Sequence, residues 1–180
     1  MDVSTVVGLR HRAIIAVMTY TLLAWGPSSR SLRGLLPAER TLVGVHEKKS
    51  KLNETPCHRK FKEYLDAYIK AAGIGDDRKG PLFRSVIGKT AQFSPRPELR
   101  GDVWRMVRRR ASAAGTETPI GCHTFRATGI TDYLTNGGRI EVTQRMAGHS
   151  NAKSTGLYDR RNDDISVTAG CPGTLSGEHL

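Results

Sequence analysis

The run Cys122-His123-Thr124-Phe125-Arg126-Ala127-Thr128-Gly129 decides the reading of this chain, together with Ala147-Gly148-His149 and Leu157-Tyr158-Asp159-Arg160 further on. His123 and Arg126 stand three positions apart, which on a helix puts them on one face, while Phe125 and Ile130 point inward on the other. A guanidinium fork can donate two parallel hydrogen bonds to phosphate oxygens, and a histidine beside it can add a third or move a proton. The pair therefore reads as an anion clamp. Taken singly, each piece also has a plain structural reading. His-x-x-Arg pairs are common surface contacts, Gly148-His149 fits a helix end followed by a loop histidine, and Tyr158 fits a half-buried aromatic anchoring the last helix.

The 180 residues suffice for one domain with a proper core and are few for two. Hydrophobic residues make up 38% and charged ones 25%, which argues against disorder. Lys and Arg number 28 against 17 Asp and Glu, a net charge of +11 that suits a polyanionic partner. The basic residues cluster, Arg105, Arg108, Arg109 and Arg110 on one segment and Lys48, Lys49 and Lys51 on another. Charge alone also fits a solvated basic surface. Cys57, Cys122 and Cys171 are odd in number and widely spaced, so no disulfide framework is indicated and a reducing cytoplasm is expected. Cys57-His58 and Cys122-His123 are adjacent, whereas ligand pairs in structural zinc sites lie about two to five residues apart, so no metal is expected.

The stretch from Ala13 to Trp25 is apolar apart from Thr19, Tyr20 and Thr21, and follows Arg10, His11 and Arg12. It is too short to span a bilayer. A basic-then-apolar order matches a secretory leader, but it matches a buried helix equally, and nothing downstream has a secreted character. The core-helix reading is preferred. The pattern predicts this helix from Val7 to Trp25, stopped by Gly26-Pro27, then a turn over Ser28 to Ser31. A β-rich run from Thr41 to His46, a polar stretch Glu47 to Lys51 and a second run ending at Pro56 predict a hairpin with a lysine-rich tip.

Phe61, Tyr64, Leu65, Tyr68, Ile69 and Ala72 form one apolar stripe on a helix ended by Gly73. After a loop from Gly73 to Pro81 the chain is expected to stay irregular past Leu82-Phe83, until a helix from Glu98 to Ala114 with Leu99, Val103, Met106 and Val107 on its inner face. Short helices should follow: His123 to Leu134, closed by Asn136-Gly137-Gly138, then Glu141 to Ala147, then one holding Tyr158. Val167 to Leu180 reads as a frayed tail. The fold class is α+β, mainly α with a small antiparallel β-hairpin or sheet.

In this order His123, Arg126, His149 and Tyr158 resemble the C-terminal signature of tyrosine recombinases of the phage-integrase family: a His-x-x-Arg motif, a later Gly-His pair, and a nucleophilic tyrosine beyond it. Thr128-Gly129-Ile130-Thr131, Met146-Ala147-Gly148-His149 and Leu157-Tyr158-Asp159-Arg160-Arg161 look like one bacterial integrase subgroup. The likeness covers about Thr5 to Asp163. It implies the family's catalytic-domain fold over residues 1–166 and a flexible tail over 167–180. Its known lysine sits on a hairpin turn and reaches the scissile phosphate; Lys48 is the matching choice, with Lys51 the runner-up and a solvated turn that touches DNA non-specifically as the plain alternative. Lys49, Lys51, Arg105, Arg108 and Arg109 would then contact DNA.

The resemblance also implies a mechanism. Tyr158 would attack a DNA phosphate, forming a 3′-phosphotyrosyl link and freeing a 5′-hydroxyl that can attack a partner strand's link, without ATP, metal or other cofactor. Free tyrosine has a pKa of about 10, so it needs a base and a nearby positive charge, the roles of His123 and Arg126. Lys48 would protonate the leaving 5′-oxygen, and His149 would donate to a non-bridging oxygen. The implied partner is double-stranded DNA, with a homo-oligomeric, tetrameric synapse on it; no membrane and no small-molecule substrate are implied.

Three departures stand beside the match. Family members carry a further arginine after the first long helix, and aligning Gly26 with their glycine puts Ala24 at that place. The helical DNA-clamping domain that usually precedes this one is expected to be absent, and the tail from Val167 differs. A truncated or inactive copy of a mobile-element integrase accounts for all three. The alternative is a non-catalytic DNA-binding remnant; a nicking enzyme like the type IB topoisomerases is a third reading.

Overall fold

Most side chains of the first helix, α1 (Val6–Tyr20), are buried or half-buried, and Thr19 is its one exposed position. Ala13, Ile14 and Met18 are wholly buried, and Arg10 and His11 nearly so. Such a helix belongs inside, and in the computed structural model α1 is the hub against which three other helices pack. The structure describes residues 1–22, 25, 42–46, 52–56, 58–77, 79–88, 90–147 and 155–159, the two segments at 42–46 and 52–56 in backbone only. Thr5 caps α1, its hydroxyl accepting the Gly8 N–H at 3.1 Å.

The helix stops at Tyr20, short of the expected Trp25. Thr21 turns both its N–H and its hydroxyl back on the Val17 carbonyl, at 3.1 and 2.6 Å, and Leu22 adopts a left-handed conformation with φ of 54°. Leu22 and Trp25 are still buried, so the apolar pattern was right about burial and wrong about the backbone that achieves it. Leu22 drops its side chain onto Gly129, which has no Cβ to obstruct it.

Strand β1 (Leu42–His46) pairs antiparallel with β2 (Leu52–Pro56), Leu42 opposite Pro56 and His46 opposite Leu52, which is the expected hairpin. Its tip, the turn at 28–31 and the tail at 167–180 lie outside the described residues. Helix α2 (Arg59–Ala71) buries the predicted stripe through Phe61, Leu65 and Tyr68, and Gly73 beyond it takes φ of 62°. Tyr68 donates to the Leu82 carbonyl at 3.0 Å and stacks on Phe83; burial pushes its phenol up to about 12. This tyrosine is core.

The stretch expected to be irregular holds a second hairpin, β3 (Arg84–Val86) and β4 (Phe93–Pro97). The prolines and serines of Phe93-Ser94-Pro95-Arg96-Pro97 hide the strand pattern, yet the Ser85 and Ser94 hydroxyls meet across it at 2.7 Å. Helix α3 (Arg100–Ala113) buries Val103, Met106 and Val107; Leu99 is its N-cap and is 54% exposed, so it does not line the inner face. Helices α4 (Cys122–Thr135) and α5 (Ile140–Met146) follow, joined through Gly137 at φ of 80°. The fold is mainly helical with antiparallel hairpins. One large cluster gathers α1, α2, α3 and Phe83, and a smaller one gathers Leu22, Ile130, Leu134 and Ala147.

Arg10 ties α1 to the second hairpin, donating to Glu98 at 2.8 Å and to the Arg84 carbonyl at 2.5 Å. His11 beside it faces Arg10 through Nε2 at 3.3 Å and Arg110 through Nδ1 at 3.1 Å. A neutral imidazole can accept from one guanidinium; a protonated ring could accept from neither. Burial first, then the charges of Arg10, Arg110 and Arg109, lower its pKa to about 4. The unfolded chain takes up a proton near pH 6.5 that the folded chain refuses until about pH 4, so stability is full above that window and falls as pH drops through it. The loss should reach roughly 3 kcal/mol. Denaturant titrations of the protein and His11→Gln at neutral and mildly acid pH should show a smaller acid loss in the variant; equal losses would refute this.

Candidate active site

Helix α4 starts sharply because Gly121 is extended, its N–H donating to the Thr124 hydroxyl at 3.1 Å while the Thr124 N–H returns to the Gly121 carbonyl at 3.1 Å. This puts His123 in the first turn and Arg126 one turn on. His123 is exposed and Arg126 half-buried. Phe125 packs on the large cluster and Ile130 in the small one, so both point inward as expected.

Thr155 and Gly156 are helical, and Tyr158 lies in the turn after them. Its N–H donates to the Thr155 carbonyl at 3.0 Å, and the Asp159 N–H to the Gly156 carbonyl at 3.1 Å. Thr155 is wholly buried, Leu157 is 84% exposed, and the Tyr158 ring packs half-buried against the small cluster. Its hydroxyl lies 3.2 Å from Nε2 of His123. With its proton on Nδ1, the neutral ring presents Nε2 as an acceptor for the phenolic proton. The Tyr158 carbonyl in turn accepts from the Thr131 hydroxyl at 3.3 Å. His123 and Tyr158, 35 residues apart in sequence, thus meet, with Arg126 one turn along α4 from His123.

Of the other expected site residues, Lys48, Lys49, Lys51 and His149 lie outside the described residues, as does Ala24. Arg105, Arg108 and Arg109 stand on the outer side of α3. Arg105 pairs with Asp102 at 2.5 Å and, with Arg109, lines a polar cavity of about 260 Å³ shared with Arg10, His11 and Glu98. Arg108 covers the Trp104 ring at 5.5 Å. Trp104 was not singled out from the sequence. It is 49% exposed, and its indole nitrogen comes within 3.8 Å of the place a Cβ on Gly121 would occupy, so this edge of α3 adjoins the start of α4. The i, i+4, i+8 spacing of Arg100, Trp104 and Arg108 was the signal that could have found it.

Cys122, next to His123, is not poised to react: burial raises its thiol pKa, against a weaker opposing pull from Arg100. Among the described residues no cluster of His, Cys, Asp and Glu could hold a metal ion, and no helix is long and apolar enough to cross a membrane.

The pattern that describes the phage integrase family matches residues 7–164. The chain is 28% identical over 164 residues to tyrosine recombinase XerD of Pseudomonas aeruginosa, covering 87% of this chain and 51% of that protein. It is 42% identical over 62 residues to XerD of Chlorobaculum tepidum, covering 34% of this chain and 20% of that one. The matches thus span about half the length of the first relative and a fifth of the second. Among solved structures, XerA recombinase superposes with a TM-score of 0.69 at 24% identity, over 86% of this chain and 54% of that one. XerH recombinase in its post-cleavage complex with palindromic difH substrate superposes with a TM-score of 0.69 at 16% identity, over 91% and 45%. Both likenesses concern the fold.

Proposed function

Because the chain belongs to the phage integrase family, we propose that it cleaves and rejoins double-stranded DNA through a 3′-phosphotyrosyl intermediate, as the catalytic part of a site-specific recombinase. The observation that carries this is the 3.2 Å approach of the Tyr158 hydroxyl to His123. The phenolic oxygen attacks phosphorus as its proton passes to Nε2. The bond to the 5′-oxygen breaks, and that oxygen leaves as a hydroxyl once protonated, the role we assign to Lys48. Reversal by a 5′-hydroxyl from another strand rejoins the DNA and releases Tyr158, so no cofactor is consumed. Arg126, with His149, holds the charge that grows on the non-bridging oxygens. Arg108 beside Trp104, with Arg105, Arg109 and the hairpin lysines Lys49 and Lys51, would bind the duplex on either side, mainly through phosphates. The cytoplasm is the expected place of action, and a tetramer on DNA the expected assembly.

The second reading, a DNA-binding module without turnover, is favoured by one feature, Ala24 at the place of the family's first arginine. A nicked suicide substrate separates the two. Turnover gives a protein–DNA adduct that survives denaturing electrophoresis; binding without adduct supports the module. Ala24→Arg should raise the adduct rate by about 10²- to 10³-fold, the usual worth of one preorganised donor to a transition-state oxyanion. No gain in single-turnover assays would count against Ala24 as the vacant position.

A further inference from the structure

Threonines on helices usually turn their hydroxyls back on their own backbone. Thr19 and Thr143 do so here, donating to the carbonyls of Ile15 and Arg139 at 2.9 and 3.1 Å, as does Thr21 just past the end of α1, to Val17 at 2.6 Å. Thr131 instead donates to the Tyr158 carbonyl at 3.3 Å, across 27 residues of chain. His123, Ala127 and Thr131 follow one another at four-residue steps along α4, so they share a face. Tyr158 is therefore held at both ends by one helix face: its hydroxyl at His123, its carbonyl at Thr131.

We propose that Thr131 is a positioning residue, fixing the backbone of Tyr158 so that the phenol reaches His123 of its own chain. The segment around Tyr158 is a single turn, Leu157 beside it is 84% exposed, and the ring is only half-buried against a cluster of four buried residues. Apolar packing alone lets a ring slide; a directed bond to the backbone sets its reach along α4. Small displacements matter because attack requires the oxygen in line and within about 3 to 3.5 Å of phosphorus.

The inference rests on the proposed chemistry for its purpose but not for its test. Thr131→Val keeps the shape and removes the donor; Thr131→Ser restores it. In the DNA-free protein, hydrogen exchange at the amides of Tyr158 and Asp159 should quicken in Thr131→Val and stay near the parent rate in Thr131→Ser, with the α4 amides unchanged. On suicide DNA, Thr131→Val should form adduct about tenfold more slowly at saturating DNA, with half-saturation unchanged, and Thr131→Ser should recover it. Unchanged exchange in Thr131→Val overturns the proposal, as does an equal loss in both variants, which would mean packing and not the bond. If the parent protein forms no adduct, the proposed chemistry fails while exchange still decides the tether.

Discussion

Tyr158→Phe is expected to abolish the covalent protein–DNA adduct while leaving fold and DNA binding unchanged. The substitution removes one oxygen. That oxygen lies 3.2 Å from Nε2 of an exposed histidine, and a hydrogen bond of this kind is worth about 1 kcal/mol net. The ring keeps its packing against the small cluster, and the Thr131 bond goes to the backbone carbonyl, which the substitution does not touch. Without a nucleophilic oxygen no phosphotyrosyl bond can form, whatever the other groups do. Denaturing electrophoresis reads the adduct, mobility shift the binding, and a thermal melt the fold. An adduct that persists would mean that another side chain attacks, and the recombinase chemistry assigned to Tyr158 would be wrong.

Glu98→Ala should destabilise the protein by about 3–5 kcal/mol, the usual cost of stranding one member of a buried ion pair. Arg10 and Glu98 have side chains only 5% exposed and meet at 2.8 Å. Burial raises the Glu98 carboxyl pKa despite Arg10, and burial lowers that of the Arg10 guanidinium despite Glu98. For both partners, then, the penalty of leaving water exceeds the attraction between them, so the pair fixes how α1 meets the second hairpin more than it adds stability. Replacing both, Arg10→Met with Glu98→Leu, should recover most of the loss, less the bond to the Arg84 carbonyl. Urea titrations of the two single variants and the double variant measure this; a double variant that loses the sum of both would contradict it.

Where one local force dominates, the sequence was a sufficient guide. The stripe of α2, the hairpin of β1 and β2, and the halt of α4 before Gly137 all follow from periodicity and turn chemistry. Where a contact distant in sequence decides, the pattern misled. The early end of α1 depends on Leu22 finding Gly129 and the small cluster, and the β3–β4 hairpin depends on pairing that its prolines disguise. The same holds for the site. The order of His123, Arg126 and Tyr158 pointed to the family, but no spacing rule could show that Thr131 would donate to the Tyr158 carbonyl, because a helical threonine normally serves its own turn.

Gly121, at the start of α4, has one further effect. The aligned peptide dipoles of this helix leave about half a positive elementary charge at its N-terminus, where His123 stands. An anion arriving there is attracted by the backbone itself, in a field that does not titrate and that no single side-chain deletion removes. On the proposed chemistry, a substitution that ended turnover by removing one side chain would leave this backbone attraction for phosphate in place.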